Sequence, residues 1–319
     1  MANMTKMQRF RSAIKGEAVD HLPVSMWLHF ATEHLSSEET ARLHLSYFNT
    51  YHWDYLKSMN DYRYPLPAGA DGIARETIDT AEELLAFKPL PMSEPAFANQ
   101  LACLRILRRE LGPDVPIVET LFNSLQTLVR GAGAGAAQVA LANPRAGHAM
   151  LEAVTHTLID YVQALKEIGV TGLFYSVNGA SKSEAGGLTA AQFDEFVKPY
   201  DLRILQAADG LERIGHIHGY QLDFGRVLDY PVEAFSWSHH HTAPSLAEAR
   251  KLTQAALVGG IDEVAISRQS TAEIAADIEA AVREAGPRKL LIGPGCTVPP
   301  DTPYRLQIAA GRTAARLQG

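Results

Sequence analysis

Residues 256–296 read ALVGGIDEVAISRQSTAEIAADIEAAVREAGPRKLLIGPGC, with one apolar run at each end and an amphipathic segment between them. In that segment Ile274, Ile278 and Val282 recur at helical spacing, and Gly286 follows as a helix-ending residue. The stretch therefore predicts a strand, a helix and a second strand. This order is typical of the βα units that build a parallel sheet.

The same alternation extends through the rest of the chain. Eight apolar runs are predicted to be strands: Leu22–His29, Tyr55–Asn60, Ile117–Asn123, Gly172–Asn178, Ile214–His218, Ala234–His239, Ala256–Ile261 and Leu290–Cys296. Four of the segments between them open with a Ser or Thr followed three residues later by Glu or Gln, which predicts capping boxes. These pairs are Thr80/Glu83, Thr189/Gln192, Ser245/Glu248 and Ser270/Glu273.

Eight strands that alternate with helices predict an α/β fold, a (β/α)8 TIM barrel. A doubly wound sheet is disfavoured because no glycine-rich phosphate turn follows the first strand. We expect an extra N-terminal helix within residues 1–20. An insertion after strand 2, roughly residues 61–100, is rich in Pro and is expected over one mouth of the barrel. No linker separates two domains, so residues 1–319 are predicted to form one domain.

The composition excludes several classes of protein. With 29 basic and 36 acidic residues the formal net charge is -7, so a nucleic-acid-binding role is not expected. No run approaches the roughly 20 apolar residues of a membrane span, and the N-terminus has no signal-peptide core. We expect a soluble cytoplasmic protein. The chain has 2 cysteines, which cannot form a disulfide framework. Cys103, in a helix-like segment, is predicted to be core filler.

In a (β/α)8 barrel the reactive groups lie at the carboxyl ends of the strands. The polar residues there are His29, Lys57, Asn60, Asp61, Asn123, Tyr175, Asn178, His216, His218, His239, His240, His241, Asp262 and Cys296. We predict catalytic roles for Lys57, Asp61, Tyr175 and Asn178, and substrate or cofactor binding by His29, Asn60 and Asn123. Buried Lys57 needs an acid such as Asp61 or a substrate anion as its partner. Internal hydrogen bonds are the alternative role for Tyr175 and Asn178.

Two histidines predict a metal site. His216 and His218 alternate with one residue between them, so both imidazoles point to the same face of a strand. Cys296, at another strand end, is the expected third ligand, and His239 is a possible fourth. Two nitrogens and one sulfur suit Zn²⁺ in an open site, although Fe²⁺, Co²⁺ or Ni²⁺ would also bind such a set. The alternative for the histidines is a pair of hydrogen-bonded core groups.

The order of the motifs resembles the uroporphyrinogen decarboxylase superfamily nearly from end to end. The matching segments are Arg9–Gly16, Asp20–Val24, Trp53–Asp61, Gly186–Thr189, Phe196–Tyr200, Gly215–Gly219, Gly259–Asp262 and Gly293–Pro303. This resemblance implies a (β/α)8 barrel independently of the strand count.

Within the superfamily, the residues resemble the zinc methyltransferases that act on methylated corrinoid proteins. That branch has a His-x-Cys on strand 5 and a later Cys, which His216 and Cys296 match, whereas His218 replaces the middle Cys. The true decarboxylase is disfavoured because strand 1 ends Trp27-Leu28-His29-Phe30 without arginine. Asn60-Asp61 only loosely matches its Ser-Asp, and Cys296 stands where it has a histidine.

The resemblance implies a zinc-dependent methyltransferase with a small-molecule substrate, a corrinoid supplied by a separate partner protein and a homodimeric assembly. Three alternatives remain open. One is a metal-independent decarboxylase that uses Lys57, Tyr175 and the histidines. A second, disfavoured because its His-x-His pair usually lies on strand 1, is a metal-dependent hydrolase. The third is a non-catalytic barrel that binds a tetrapyrrole or a corrinoid.

Overall fold

The fold is described from a computed structural model of the chain, in residues 3–69, 72–73, 75–182 and 187–319. These residues contain one sheet of seven parallel strands, in which each strand pairs with the next along the chain. The strands are β1 (Leu56–Ser58), β2 (Ile117–Phe122), β3 (Gly172–Val177), β4 (Glu212–Ile217), β5 (Ala234–Ser236), β6 (Ala256–Ile261) and β7 (Leu290–Pro294). All seven overlap predicted strands.

Twelve α-helices lie in the described part of the chain. At least one separates each two consecutive strands, as the βα pattern predicts, except β4 and β5, which are joined through a short 3-10 helix, Phe224–Val227. The α-helices are α1 (Lys6–Lys15), α2 (Ser37–Tyr51), α3 (Ala81–Leu85), α4 (Pro95–Leu111), α5 (Ser124–Ala132), α6 (Ala134–Ala142), α7 (Pro144–Ile168), α8 (Ala190–Phe196), α9 (Lys198–Ala207), α10 (Leu246–Leu252), α11 (Thr271–Ala285) and α12 (Tyr304–Ala314). All four predicted capping boxes are confirmed, at the starts of α3, α8, α10 and α11.

The predicted first strand is not confirmed over Leu22–His29. Only Val24 forms a bridge, parallel to Ile292 of β7. On its other side, the Asp54 backbone N–H donates to the Val24 carbonyl at 2.9 Å, so this segment lies between β7 and the chain that enters β1. Pro23 has no N–H to donate to a ladder, which is one physical reason why the pairing stays short.

The predicted N-terminal helix is α1. Thr5 caps its first turn, and Gly16, with φ 81°, follows its last residue. The expected helix region includes residues 1 and 2, which lie outside the described residues. Buried Arg9 holds α1 to the start of β1, because its guanidinium contacts Asp20 at 2.7 Å and Asp54 at 2.8 Å.

The insertion after β1 contains α3 and the beginning of α4 rather than irregular chain alone. Its described part packs against α7, where the Thr157 hydroxyl bonds with the Tyr64 hydroxyl and accepts from the Leu90 N–H. Residues 70, 71 and 74 lie outside the described residues. Coverage of a barrel mouth by this segment stays a prediction.

The two faces of the sheet have different neighbours. On β3, Phe174 and Ser176 line a central cavity, whereas Tyr175 between them contacts Asp201 of α9. The register places Ser176 beside His216 of β4, so these two residues share the inner face. In the described residues no helix is both long enough and apolar enough to cross a membrane.

Candidate metal centre

A small cavity of about 60 Å³ lies on the inner face of the sheet, where several strands end. It is lined by Trp27, His29, Lys57, Met59, Thr120, Phe122, Phe174, Ser176, His216, His218, Cys296 and Thr297. Aromatic walls and a few polar groups in one cavity are typical of a small-molecule site.

Three potential metal ligands meet there. One ligand atom from each of His216, His218 and Cys296 lies within 4.8 Å of the other two. Cys296 Sγ and His218 Nδ1 are 3.9 Å apart, although 78 positions separate the residues in the chain. Around a tetrahedral zinc with bonds of about 2.0–2.1 Å to nitrogen and 2.3 Å to sulfur, N and S ligands are about 3.6 Å apart. The donor set and its spacing therefore fit such an ion.

The surroundings favour the protonation states that bind metal. Burial alone would raise the pKa of Cys296. The His216 imidazole and the Thr297 backbone N–H bond with the sulfur, the Lys57 charge adds to their effect, and together they lower the pKa to about 7. Burial lowers the pKa of His216, which favours the neutral ring. A thiolate and neutral imidazoles are the forms that ligate zinc.

Lys57 lies in the same cavity without the acid that the sequence predicts. Its Nζ is 2.7 Å from Met59 Sδ and 4.3 Å from the Phe174 ring centre, and no carboxylate in the described residues forms an ion pair with it. Burial lowers the pKa of Lys57 to about 7, although the charges of Cys296 and nearby carboxylates act the other way. The expected Lys57–Asp61 pair is therefore wrong.

Asp61 instead binds His29. Its Oδ1 lies 2.6 Å from His29 Nδ1, and its Oδ2 accepts from the N–H and hydroxyl of Thr32. These bonds hold the pKa of Asp61 below its usual range against the opposing effect of burial. Asp61 thus orients His29, which lines the cavity, while Asp61 itself is not among the cavity walls.

Tyr175 does not reach the cavity, which corrects its predicted catalytic role. Its side chain is fully buried between the sheet and α9, and its hydroxyl donates to Asp201 Oδ1 at 2.7 Å. The hydroxyl of Tyr230 donates to the other oxygen at 2.8 Å. Because side chains alternate between the two faces of β3, Ser176 lies on the inner face and Tyr175 on the outer one. The sequence contained this signal, since the two residues are adjacent and must point to opposite faces.

His239, the possible fourth ligand, has a different partner. His239 Nε2 accepts a hydrogen bond from the Gly260 N–H at 2.9 Å, and burial lowers the pKa of His239 to about 3. In the described residues the cluster contains His216, His218 and Cys296 without His239. His241 pairs with Asp262 at 2.7 Å, so that pair is engaged elsewhere.

The three predicted asparagines have different positions. Asn123 is fully buried and caps α5 by accepting from the Gln126 N–H, while its amide donates to the Asn178 carbonyl. Asn123 therefore does not contact the central cavity. The backbone carbonyl of Asn60 accepts from Arg130, and its side chain lines a separate small cavity.

Asn178 lines a larger neighbouring cavity of about 240 Å³ together with Gln126 and Ser181. His218 belongs to the walls of both this cavity and the central one. A ligand in the larger cavity would thus lie beside one of the three potential metal ligands.

The sequence reasoning missed the cavity walls Trp27, Thr120 and Phe174. In the sequence these three residues are recognisable only as aromatic or hydroxyl side chains close to the polar residues at the strand ends. Trp27 and Phe174 pack edge to face, with ring centres 5.3 Å apart, and form an apolar part of the cavity wall.

The model of a family described as uroporphyrinogen decarboxylase (URO-D) matches residues 67–309. A solved structure of a methyltransferase from Methanosarcina mazei is 18% identical, with a TM-score of 0.75 over 98% of this chain and 99% of that chain. No curated protein matches the sequence.

Two further solved structures are similar over 88% of this chain and 86% of theirs, each with 13% identity. One is a B12-independent methionine synthase from Shewanella sp. W3-18-1 in complex with selenomethionine, with a TM-score of 0.59. The other is a putative vitamin-B12-independent methionine synthase from Listeria monocytogenes, with a TM-score of 0.57. At these identities the likeness establishes a shared fold.

Proposed function

The chain belongs to the uroporphyrinogen decarboxylase (URO-D) family, and from this membership we propose that it is a metal-dependent methyltransferase. In this proposal His216, His218 and Cys296 hold one divalent cation, with zinc the expected ion. The observation that carries the proposal is the approach of their three ligand atoms to within 4.8 Å of one another in a cavity at the strand ends. The fold shared with a protein named as a methyltransferase supports it.

A cation bound there supplies Lewis acidity toward a small acceptor, such as a thiol, and lowers its pKa. The residues of the chain supply the rest. Asp61 holds the His29 imidazole by Nδ1, so Nε2 is the nitrogen left to take the acceptor's proton. Trp27 and Phe174 form an apolar part of the cavity wall.

Lys57 adds a positive charge within reach of the Cys296 sulfur, which favours the thiolate that ligates a cation. The central cavity is the proposed place of the acceptor's reacting group, and the larger cavity of about 240 Å³ lies beside it because His218 borders both. Asn178 and Gln126 offer amide groups to a ligand in that cavity. The methyl donor is proposed to be a corrinoid on a separate partner protein, and a homodimer stays a prediction.

Elemental analysis of protein purified without an affinity tag tests the proposal. We expect about one zinc per chain in the parent and loss of the metal in both Cys296→Ser and His218→Ala. His240→Ala is the matched control, because this exposed histidine lies outside the three-residue cluster and its loss leaves the metal content unchanged. A parent that stays metal-free after incubation with zinc contradicts the proposal.

Lys57 gives one observation in favour of a second candidate, a metal-independent decarboxylase. A buried ammonium without a carboxylate partner is placed to bind a substrate carboxylate and to stabilise the charge left when carbon dioxide departs. Tyr175, which the sequence assigned to this reaction, contacts Asp201 and so takes no part. Activity that persists after chelation and is lost in Lys57→Met would favour this candidate over the methyltransferase.

A further inference from the structure

A third cavity, of about 30 Å³, adjoins the central one because Thr120 and Phe122 are walls of both. Two arginines, Arg63 and Arg130, line it. The absence of arginine at the end of strand 1 therefore does not leave this part of the molecule without cationic side chains.

Arg130 is half-buried and has few partners. In the described residues its guanidinium makes one hydrogen bond, from Nη2 to the Asn60 carbonyl at 3.1 Å, and forms no ion pair. The guanidinium carbon lies over the Phe122 ring, 3.9 Å from its centre. An arginine has five N–H donors. The remaining ones are available to an acceptor in the cavity.

The nearby carboxylates do not use these donors. Asp61 and Glu33 attract Arg130 at longer range, but both oxygens of Asp61 are engaged by His29 and Thr32. Burial lowers the pKa of Arg130 to about 10, so the group stays cationic at neutral pH. Arg63 is exposed at the same cavity and makes no ion pair in the described part of the chain, which adds a second positive charge.

The size of the cavity restricts the kind of anion. One water needs roughly 10–15 Å³ of such space, so a cavity of about 30 Å³ has room for two or three oxygen-sized positions. The two oxygens of a carboxylate fit this room. A planar carboxylate also matches the fork of a guanidinium.

We propose that Arg130, assisted by Arg63, binds a carboxylate of the small-molecule acceptor, whose reacting group lies at the His216–His218–Cys296 cluster. This inference rests on the proposed function, which it deepens by assigning the acceptor to the class of carboxylic acids with a nucleophilic group at the other end. The walls shared by the two cavities, Thr120 and Phe122, make the arginine cavity a direct neighbour of the central one.

Binding of defined probes tests the proposal. The probes are ω-mercaptocarboxylates from 3-mercaptopropionate to 6-mercaptohexanoate, each paired with its uncharged amide, and a thiol-free pair, hexanoate and hexanamide. Affinities are measured by isothermal titration calorimetry on zinc-loaded protein. We expect the acid to bind about tenfold or more tightly than its amide at one chain length, because a charge-assisted bidentate bond is lost in the amide.

The variants locate this preference. Arg130→Gln is expected to reduce the affinity for the acid to that for the amide, and Arg130→Lys to keep part of the preference because it keeps the charge. Arg109→Gln is the matched control, since this arginine is exposed on α4 and pairs with its neighbour Glu110. Thermal unfolding of each variant verifies that it folds.

The outcomes separate the two proposals. Equal affinity for acid and amide at every length, or a preference that survives Arg130→Gln, overturns the carboxylate site. A preference for hexanoate over hexanamide that persists in His218→Ala supports it independently of the metal. If no zinc binds while that preference remains, the methyltransferase proposal fails and the carboxylate site stands.

Discussion

Cys296 shows how one residue acquires its properties from distant neighbours. Burial favours the neutral thiol, but the His216 imidazole, the Thr297 N–H and the Lys57 charge outweigh burial and bring the pKa of Cys296 to about 7. Cys103 has the opposite environment, because burial without such partners raises its pKa. The two cysteines are therefore expected to differ in reactivity, because the fold gives them different neighbours.

Alkylation of metal-free protein by iodoacetamide tests this difference, since the thiolate is the reacting form. The rate at Cys296 is expected to rise with pH to half its maximum near pH 7, and His216→Ala is expected to move this midpoint upward and to slow the reaction at pH 7 several-fold. Peptide mass spectrometry measures the modification at each cysteine. Cys103 is the internal control and stays unmodified in the folded protein.

A midpoint near pH 9 in the parent would contradict this account of Cys296. So would a profile that His216→Ala leaves unchanged, because the hydrogen bond from that imidazole is the largest effect that lowers the pKa.

At the scale of secondary-structure elements, two buried carboxyl groups join the sheet to its helices. Glu119 of β2 accepts from Gln100 of α4 and from the Tyr161 hydroxyl of α7. Asp201 of α9 accepts from Tyr175 of β3 and from Tyr230. Burial raises the pKa of each group to about 7, against the hydrogen bonds that act the other way.

These groups predict a fall in stability as the pH rises. In the unfolded chain Asp201 loses its proton near its ordinary pKa of 3.8, whereas the folded protein keeps the proton up to about pH 7. Between these values the folded state binds more protons, so the free energy of unfolding decreases with pH and levels off above 7. Asp201→Asn has no such proton and is expected to show a shallower decrease, measured by urea unfolding at pH 5 and pH 7.5.

Tyr175→Phe supplies the control for this network. It removes one of the two hydroxyls that bond with Asp201 and is expected to cost about 1–2 kcal/mol of unfolding free energy. The zinc content should stay at the parent level, because Tyr175 lies on the outer face of β3. Loss of metal in this variant, or an unchanged pH slope in Asp201→Asn, would show that the role assigned to the network is wrong.

For the whole molecule, the metal cluster joins parts of the chain that are far apart. His216 lies on β4 and Cys296 follows β7, and two further strands, β5 and β6, lie between them in the sheet. Only the folded chain brings the three ligands together, so a cation that binds them stabilises the fold by mass action.

Thermal unfolding at increasing free zinc measures this linkage without an activity assay. At a free zinc concentration 100 times the Kd, the stabilisation is about 2.7 kcal/mol, which for a chain of this size raises Tm by about 4 °C. Cys296→Ser is expected to abolish the rise, and His240→Ala to retain it. A rise of equal size in Cys296→Ser would place the responsible ion elsewhere on the protein.

The amino-acid sequence by itself determined the features that depend on neighbouring residues. Capping boxes, helical spacing and apolar runs located four of the six helices that begin with a capping box and all seven strands, because these signals act within one or two turns or a few strand residues. The pairing of His216 with His218 on one strand face also followed from a two-residue period.

Only the tertiary structure decided which groups meet across the sheet. The tertiary structure placed Ser176, and not Tyr175, on the inner face of β3. It placed the Asp61 carboxylate beside His29 instead of Lys57, and His239 beside the Gly260 N–H. It also brought Cys296 beside His218. The physical reason is that the groups a side chain meets are set by the pairing and packing of strands and helices, which involve residues tens to hundreds of positions apart.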